Sequence, residues 1–202
     1  MSKLSPTEQK VMEFVNEMGV VRVRDIRDRG FHPEHLRRLV QKGHLMQLSR
    51  GVYAPANFEI TEHHGLAQVA IRMPRSVVCL LSALLFHDLT TQLPRRVWIA
   101  IPPKARVPTL AWPPIEVHRF SGQSFAEGWT DHQLEGVPVR VFDPAKTVAD
   151  CFKFRNVVGL DVAIEALRDC LRQKCATVDE LFHYARICRV ESVMRPYLEA
   201  MV

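Results

Sequence analysis

The chain has 202 residues, of which 47% are hydrophobic and 24% are charged, an ordinary composition for a folded protein of one large domain or two unequal ones. Its longest apolar run, around residues 76–86, is too short to span a bilayer, which excludes a membrane protein. The five cysteines form no CxxC pair, which argues against a zinc site, and their odd number favours free thiols. We therefore expect a cytoplasmic protein without a secretion signal, a metal or a cofactor.

The net charge of +5 is concentrated in the first quarter of the chain. Residues 1–57 contain ten Lys and Arg against six Asp and Glu, a balance of +4, whereas residues 58–202 contain seventeen against sixteen, a balance of +1. A basic N-terminal segment on a nearly neutral body favours a polyanionic partner. The alternative is a solvated basic surface that has no partner.

The N-terminal segment begins with a helix signal. Ser5 can cap a helix, Pro6 suits its first turn, and Glu8 is placed to complete a capping box. A short second helix is predicted over residues 22–28, and it ends at Gly30.

A third helix is predicted from Pro33 to Gly43, and an alternating strand pair with Gly51 at its tip follows it. Three short helices followed by such a hairpin are typical of a winged helix-turn-helix, a domain that presents one helix to duplex DNA. The Pro-containing stretch 54–57 then breaks the pattern, and we place a domain boundary there.

The third helix predicts the DNA-facing side chains. Leu36, Leu39 and Val40 form one apolar stripe, so the opposite face should point outward. Arg is suited to guanine edges and Gln to adenine, whereas basic side chains near the helix end and the hairpin tip suit phosphates. The predicted DNA-binding residues are Glu34, Arg37, Arg38, Gln41, Lys42 and Arg50.

The remainder, residues 58–202, has helices first, then strands, then helices again. This order predicts an α+β protein, in which the N-terminal winged helix-turn-helix precedes a larger mixed α/β domain with a small sheet and C-terminal helices. Predicted helices cover residues 61–73 and 77–85, and a further helix begins at Asp143-Pro144. Asp161 is predicted to cap the next helix, and Thr177 the last of the three, with Glu180 completing a capping box. Predicted strands cover residues 96–101, 115–120, 131–134 and 137–142.

Enzyme signals are weak. The sequence has no Walker loop, GxGxxG, GxSxG or HExxH motif. The pairs His63-His64 and His87-Asp88 are of a kind expected by chance in a chain of this length, and a structural role for His87 at a helix end is the simpler interpretation. We predict that the protein is not an enzyme.

Residues 143–155 carry five charges and admit three interpretations. In the first, Lys146 and Asp150 form an i, i+4 pair that stabilises a helix. In the second, Lys146, Lys153 and Arg155 form a second basic surface, for flanking DNA or for another target. In the third, Asp143 and Asp150 with a lysine form a metal-dependent nuclease centre, although the usual acidic pair followed by E/Q-x-K is missing.

Two blocks of the sequence resemble a known family. One is RRLVQKGHLMQLSRGVYAPA, which begins at Arg37, and the other is VRVFDPAKTVADCFKFRNVVGLDVAIEALRD over residues 139–169. Together they resemble the AbiEi-type antitoxins of type IV toxin–antitoxin systems and related bacterial transcriptional regulators. The likeness extends over nearly the whole chain, and the second block is the more specific because winged domains are widespread.

The resemblance implies a two-domain protein, with a DNA-binding domain over residues 1–57 and an antitoxin or effector domain over residues 58–202. The first domain would bind repeats in its own promoter and repress the operon. The second would counter a co-encoded nucleotidyltransferase-like toxin without forming a stable complex with it. The alternatives are a protein-interaction module and a nuclease with a winged DNA-binding domain.

Overall fold

The computed structural model describes residues 4–58, 61–110 and 112–201. These residues divide into two compact units, one formed by Met1–His64 with Gln133–Val137 and the other by Gly65–His132 with Pro138–Val202. The functional boundary expected between residues 57 and 58 stays a prediction.

The first unit combines helices with an antiparallel sheet of three strands in the order β1-β3-β2. Its elements are α1 (Pro6–Met18), β1 (Val21–Arg22), α2 (Val23–Asp28), α3 (Glu34–Gln41), β2 (Leu45–Ser49) and β3 (Val52–Pro55).

The start of α1 is fixed locally, as the sequence predicts. The Glu8 amide donates to Ser5 Oγ at 3.3 Å, and the Ser5 amide donates to Glu8 Oε2 at 2.7 Å, which completes the capping box. Val11, Ile26 and Leu36 are fully buried in the core of this unit. The three helices are therefore held by a shared apolar centre.

The β2–β3 hairpin pairs Met46 with Ala54, and its register shifts between Gln47 and Ser49. Gly51 has a φ of 78° at the turn, a conformation that an L side chain would strain. The predicted hairpin is confirmed, although β3 extends through Pro55, into the stretch where the sequence suggested a break.

A distant segment completes the first unit. Glu135 accepts hydrogen bonds from the Thr61 backbone N and Oγ1 at 2.8 and 2.9 Å, and its other carboxylate oxygen lies 2.7 Å from His64 Nδ1. The Glu135 side chain is 2% exposed. Residues 133–137 are thus part of this unit although they follow it far along the chain.

The rest of the chain is built on a five-stranded mixed sheet in the order β6-β5-β4-β8-β7. The β4–β5 pair is antiparallel, whereas the β4–β8 and β5–β6 pairs are parallel. The elements are α4 (His64–Arg72), β4 (Val77–Val78), α5 (Leu80–Phe86), β5 (Val97–Ile101), β6 (Ile115–Arg119), α6 (Gln123–Ala126), β7 (Trp129–Leu134), β8 (Val137–Phe142), α7 (Pro144–Lys153), α8 (Arg155–Val158), α9 (Leu160–Gln173), α10 (Val178–Ile187) and α11 (Glu191–Glu199).

This architecture confirms a mixed α/β protein with two sheets and corrects one predicted element. The apolar run 77–85 is not one helix, because Val77 and Val78 form the central strand β4 and the helix begins only at Leu80. A short buried strand and a buried helix turn are both uniformly apolar, so periodicity does not separate them. The four strands predicted further along the chain are confirmed.

Helix α7 lies in the core of the second unit, where the residues from Ala145 to Phe152 are all buried. The capping box of α10 is confirmed, since the Glu180 amide donates to Thr177 Oγ1 at 3.2 Å. Asp161, predicted as a cap, instead lies in the first turn of α9, because Gly159 occupies the capping position. None of the described helices is long and apolar enough to cross a membrane.

Candidate nucleic-acid interface

Helix α3 has one buried and one exposed face. Leu36 and Leu39 are fully buried, whereas Arg37, Arg38 and Gln41 are exposed, as the apolar stripe predicts. We call these three exposed residues the polar face of α3. Their side chains present two guanidinium groups and one amide.

The polar face of α3 carries one weak ion pair. Arg37 Nη1 lies 3.5 Å from Glu34 Oε2, and the two side chains are 69% and 43% exposed. Exposed pairs of this kind contribute little to stability and are readily exchanged for another anion. Glu34 therefore lies beside the predicted DNA-facing arginine and partly neutralises it.

A groove of about 180 Å³ runs between α3 and the hairpin, lined by Arg37, Val40, Gln41, Gln47 and Tyr53. Tyr53 is 7% exposed and packs into the core of the first unit. Gln47 is exposed, and its Nε2 donates to the Ser49 carbonyl at 3.1 Å. Gln47 is not among the DNA-binding residues predicted from the sequence, because strict alternation would place it on the same face of β2 as the buried Leu45.

Lys42 has a partner within the first unit. Its Nζ lies 2.8 Å from both carboxylate oxygens of Glu8, whose side chain is 4% exposed. The hydrogen bonds from Lys42 and from the Ser5 backbone lower the pKa of Glu8 to about 2. Lys42 thus joins the end of α3 to the start of α1, and a phosphate would have to compete with Glu8 for it.

The hairpin tip adds a further basic side chain. Arg50 is exposed beside Gly51 at the β2–β3 turn. Near the start of the unit, the Arg29 guanidinium lies 4.5 Å from the centre of the Phe14 ring, an arrangement that favours the cation. The basic residues of this unit are therefore spread over α2, α3 and the hairpin.

The second basic surface predicted around residues 146–155 is wrong in one of its three members. Lys146 is 0% exposed, and its Nζ lies 2.5 Å from Asp150 Oδ2 and 4.1 Å from the centre of the Phe142 ring. The apolar residues around α7 enclose it, so it cannot contact a partner. Lys153 is exposed and Arg155 is half-buried, with Arg155 Nη1 donating to the Phe152 carbonyl at 3.0 Å.

The carboxylates of the proposed nuclease centre are separated and engaged. Asp143 caps α7 by accepting from the Lys146 amide at 2.7 Å, and the Tyr184 side chain also hydrogen-bonds it. Asp150 lies two turns further, about 10 Å along the axis, too far to share a metal ion with Asp143. Burial raises the pKa of the Asp150 carboxyl, and Lys146 opposes that effect. Within residues 4–58, 61–110 and 112–201, no group of three or more His, Cys, Asp or Glu could hold a metal ion.

His87 has a structural contact. Its Nε2 lies 2.7 Å from the Phe142 carbonyl, and burial lowers the pKa of the ring, which keeps it neutral. The neutral ring then donates to the carbonyl. This arrangement fits the structural interpretation of His87-Asp88.

Residues 9–56 match the family model described as "Transcriptional regulator, AbiEi antitoxin". This match confirms, over those residues, the resemblance noted from the sequence, and it covers most of α1 together with α2, α3 and the hairpin. No curated protein is significantly similar to the chain.

The fold is similar to that of the RV2827C protein from Mycobacterium tuberculosis, known from a crystal structure. The superposition has a TM-score of 0.60 and 17% sequence identity, and it covers 91% of this chain and 72% of the other. At this identity the likeness concerns the fold alone.

Proposed function

We propose that the first unit is a winged helix-turn-helix that binds duplex DNA, and that the chain is an autorepressor and antitoxin of a type IV toxin–antitoxin system. The match of residues 9–56 to a family of transcriptional regulators supports this proposal. The observation that carries it is the polar face of α3, where two arginines and a glutamine are exposed on the side of the helix opposite the buried leucines.

In this proposal α3 is the recognition helix. An α-helix with its side chains is about 10–12 Å across, which fits a major groove about 12 Å wide. Arg37 and Arg38 would bind guanine edges, and Gln41 would bind adenine. The hairpin would form the wing, with Arg50 contacting a phosphate, and Lys42 would contact one only after leaving Glu8.

Full-length protein should bind a duplex taken from upstream of its own gene, measured by fluorescence anisotropy. Arg38→Ala should weaken specific binding by about 1–3 kcal/mol and relax base preference at one position. Lys10→Ala is the matched control, because Lys10 is an exposed cation on α1 outside the polar face. An unchanged footprint and affinity for the Arg38 variant would remove Arg38 from the interface.

The proposed wing has a separate test. Arg50→Ala should weaken binding to all sequences alike and reduce the slope of log K against log salt by about 1, because one phosphate contact is lost. A change in base preference, with an unaltered salt slope, would contradict the phosphate role.

The antitoxin role is assigned to the second unit, which contains residues 139–169, the block that resembles the same antitoxins. A nucleotidyltransferase-like toxin encoded by a neighbouring gene should arrest growth when it is expressed alone. Co-expression of the present chain should restore growth, without the two proteins co-purifying. Arg38→Ala should retain the rescue, because it alters only the proposed DNA site. Continued growth arrest with the full-length wild type would contradict the antitoxin role.

A further inference from the structure

We propose that a cleft in the second unit binds a phosphate-bearing ligand of nucleotide size. The cleft is lined by residues 121–124 before and within α6, by Lys153 at the end of α7, and by residues 186–189 at the end of α10. We call it the cationic cleft. Its volume of about 550 Å³ falls in the range of roughly 300–1,000 Å³ that is common for small-molecule sites.

Three cations line the cationic cleft, and the described residues of its lining include no Asp or Glu. Lys153, Arg186 and Arg189 are all exposed. In the part of the chain that the structure describes, none of the three forms an ion pair with a carboxylate within 4.0 Å. A cluster of three positive charges without an ion-paired carboxylate attracts an anion from solution.

The favourable interaction between cations and the C-terminal ends of helices explains only part of this cluster of positive charges. A cation in the last turn of a helix interacts favourably with the helix dipole, which accounts for Lys153 on α7 and Arg186 on α10 taken singly. It does not account for the convergence of both on one cleft with Arg189, whose φ of 58° belongs to the left-handed turn that ends α10.

The remaining lining suits phosphate oxygens. Ser121 and Gln123 are exposed at the cleft and carry hydroxyl and amide donors. Guanidinium groups bind phosphate in a bidentate manner, and a lysine adds a compact charge. The shared chemistry is therefore a phosphate group, whether on a free nucleotide or at the end of a nucleic-acid chain.

This site is separate from the polar face of α3, so the two proposals can fail independently. Full-length protein should be titrated with inorganic phosphate, adenosine monophosphate and a 5′-phosphorylated trinucleotide, with binding followed by NMR chemical shifts and by calorimetry. Shift changes should centre on residues 121–124 and 186–189. The Arg38→Ala variant should bind these ligands as the wild type does.

The double variant Arg186→Gln/Arg189→Gln should weaken binding of the phosphorylated ligands at least about tenfold, because two charge-assisted contacts are lost. Lys174→Gln is the matched control: Lys174 is also an exposed cation after a helix, with a φ of 57°, and does not line the cationic cleft. Its affinity should be unchanged.

Saturation by the mononucleotide at the same residues would identify a free nucleotide as the source of the phosphate, and saturation by the trinucleotide alone would identify a nucleic-acid end. Either result supports the cleft as the site. Equal weakening in the Lys174 variant, or no binding of any of the three ligands at millimolar concentration, would overturn the proposal.

Discussion

Helices α3 and α7 both carry charged side chains, and the chain uses them in opposite ways. On α3, Arg37 and Arg38 are exposed, and the helix is held by leucines on one face. On α7, Lys146 and Asp150 are fully buried as an i, i+4 pair. A charged residue in a helical sequence is therefore not necessarily exposed. The apolar residues packed around the helix decide whether its charged side chains face water or pair with each other.

The largest expected effect comes from breaking the pair on α7. Lys146→Met should lower the free energy of unfolding of the second unit by about 3–5 kcal/mol, because the Asp150 carboxylate would stay buried without its partner. Denaturant unfolding followed by tryptophan fluorescence measures this, since Trp98, Trp112 and Trp129 all belong to the second unit.

Two controls sharpen that test. The double variant Lys146→Met/Asp150→Leu should recover much of the loss, because no unpaired charge is left. In Lys146→Met alone, the loss should shrink as the pH falls, since protonation of Asp150 removes the buried charge. A loss below about 1 kcal/mol would mean that the pair is not the dominant interaction there.

Packing around Lys146 gives the next effect. A Cβ at Gly128 would lie 2.8 Å from Tyr184 Cε1 and 2.9 Å from Lys146 Cβ, so Gly128→Ala should cost about 1–3 kcal/mol from overpacking, besides the strain of its φ of 78°. The matched control is Gly43→Ala after α3, where φ is 74° and no atom of the described residues lies within 4 Å of the added Cβ. Equal losses in the free energy of unfolding for the two variants would show that Gly128 is not tightly packed against α7.

The third prediction concerns the end of α3. The pKa of Glu8 is lowered from 4.5 to about 2, so its bond to Lys42 contributes stability that is present above pH 4.5 and is lost as the pH falls toward 2. The difference in stability between wild type and Glu8→Gln should therefore shrink over that range, as measured by amide hydrogen exchange in α1. Glu13→Gln, an exposed position on the same helix, should show no such convergence.

The smallest effect is expected on the polar face of α3. Arg37→Ala removes an exposed ion pair with Glu34, and the free energy of unfolding should change by no more than about 0.5–1 kcal/mol. Hydrogen exchange of the first unit checks this. A larger loss would show that Arg37 supports the fold, which would complicate its use as a DNA-binding probe.

Features set by neighbouring residues could be predicted from the sequence. The two capping boxes, at Ser5 with Glu8 and at Thr177 with Glu180, follow from residues three apart. The polar face of α3 follows from helical periodicity. Its residues recur from one helix turn to the next, so no distant contact is needed to identify them.

Features that depend on contacts between residues far apart in the chain could not be predicted from the sequence. Lys42 and Glu8 are 34 residues apart, and the burial of Lys146 depends on Phe142 and Phe120 from two different strands or strand ends. The cationic cleft needs three separate segments to meet. Lys153 was predicted from the sequence as part of a basic surface with Lys146 and Arg155, but Lys146 is buried.

The discontinuity of the first unit affects how it is made. Glu135 lies 71 residues after His64, so the segment that pairs with His64 and Thr61 is synthesised well after the β2–β3 hairpin. A nascent or truncated chain that ends after the β2–β3 hairpin would lack this buried carboxylate. Fragments intended to test the proposed DNA binding should therefore retain residues 133–137, or be compared with full-length protein for protease resistance.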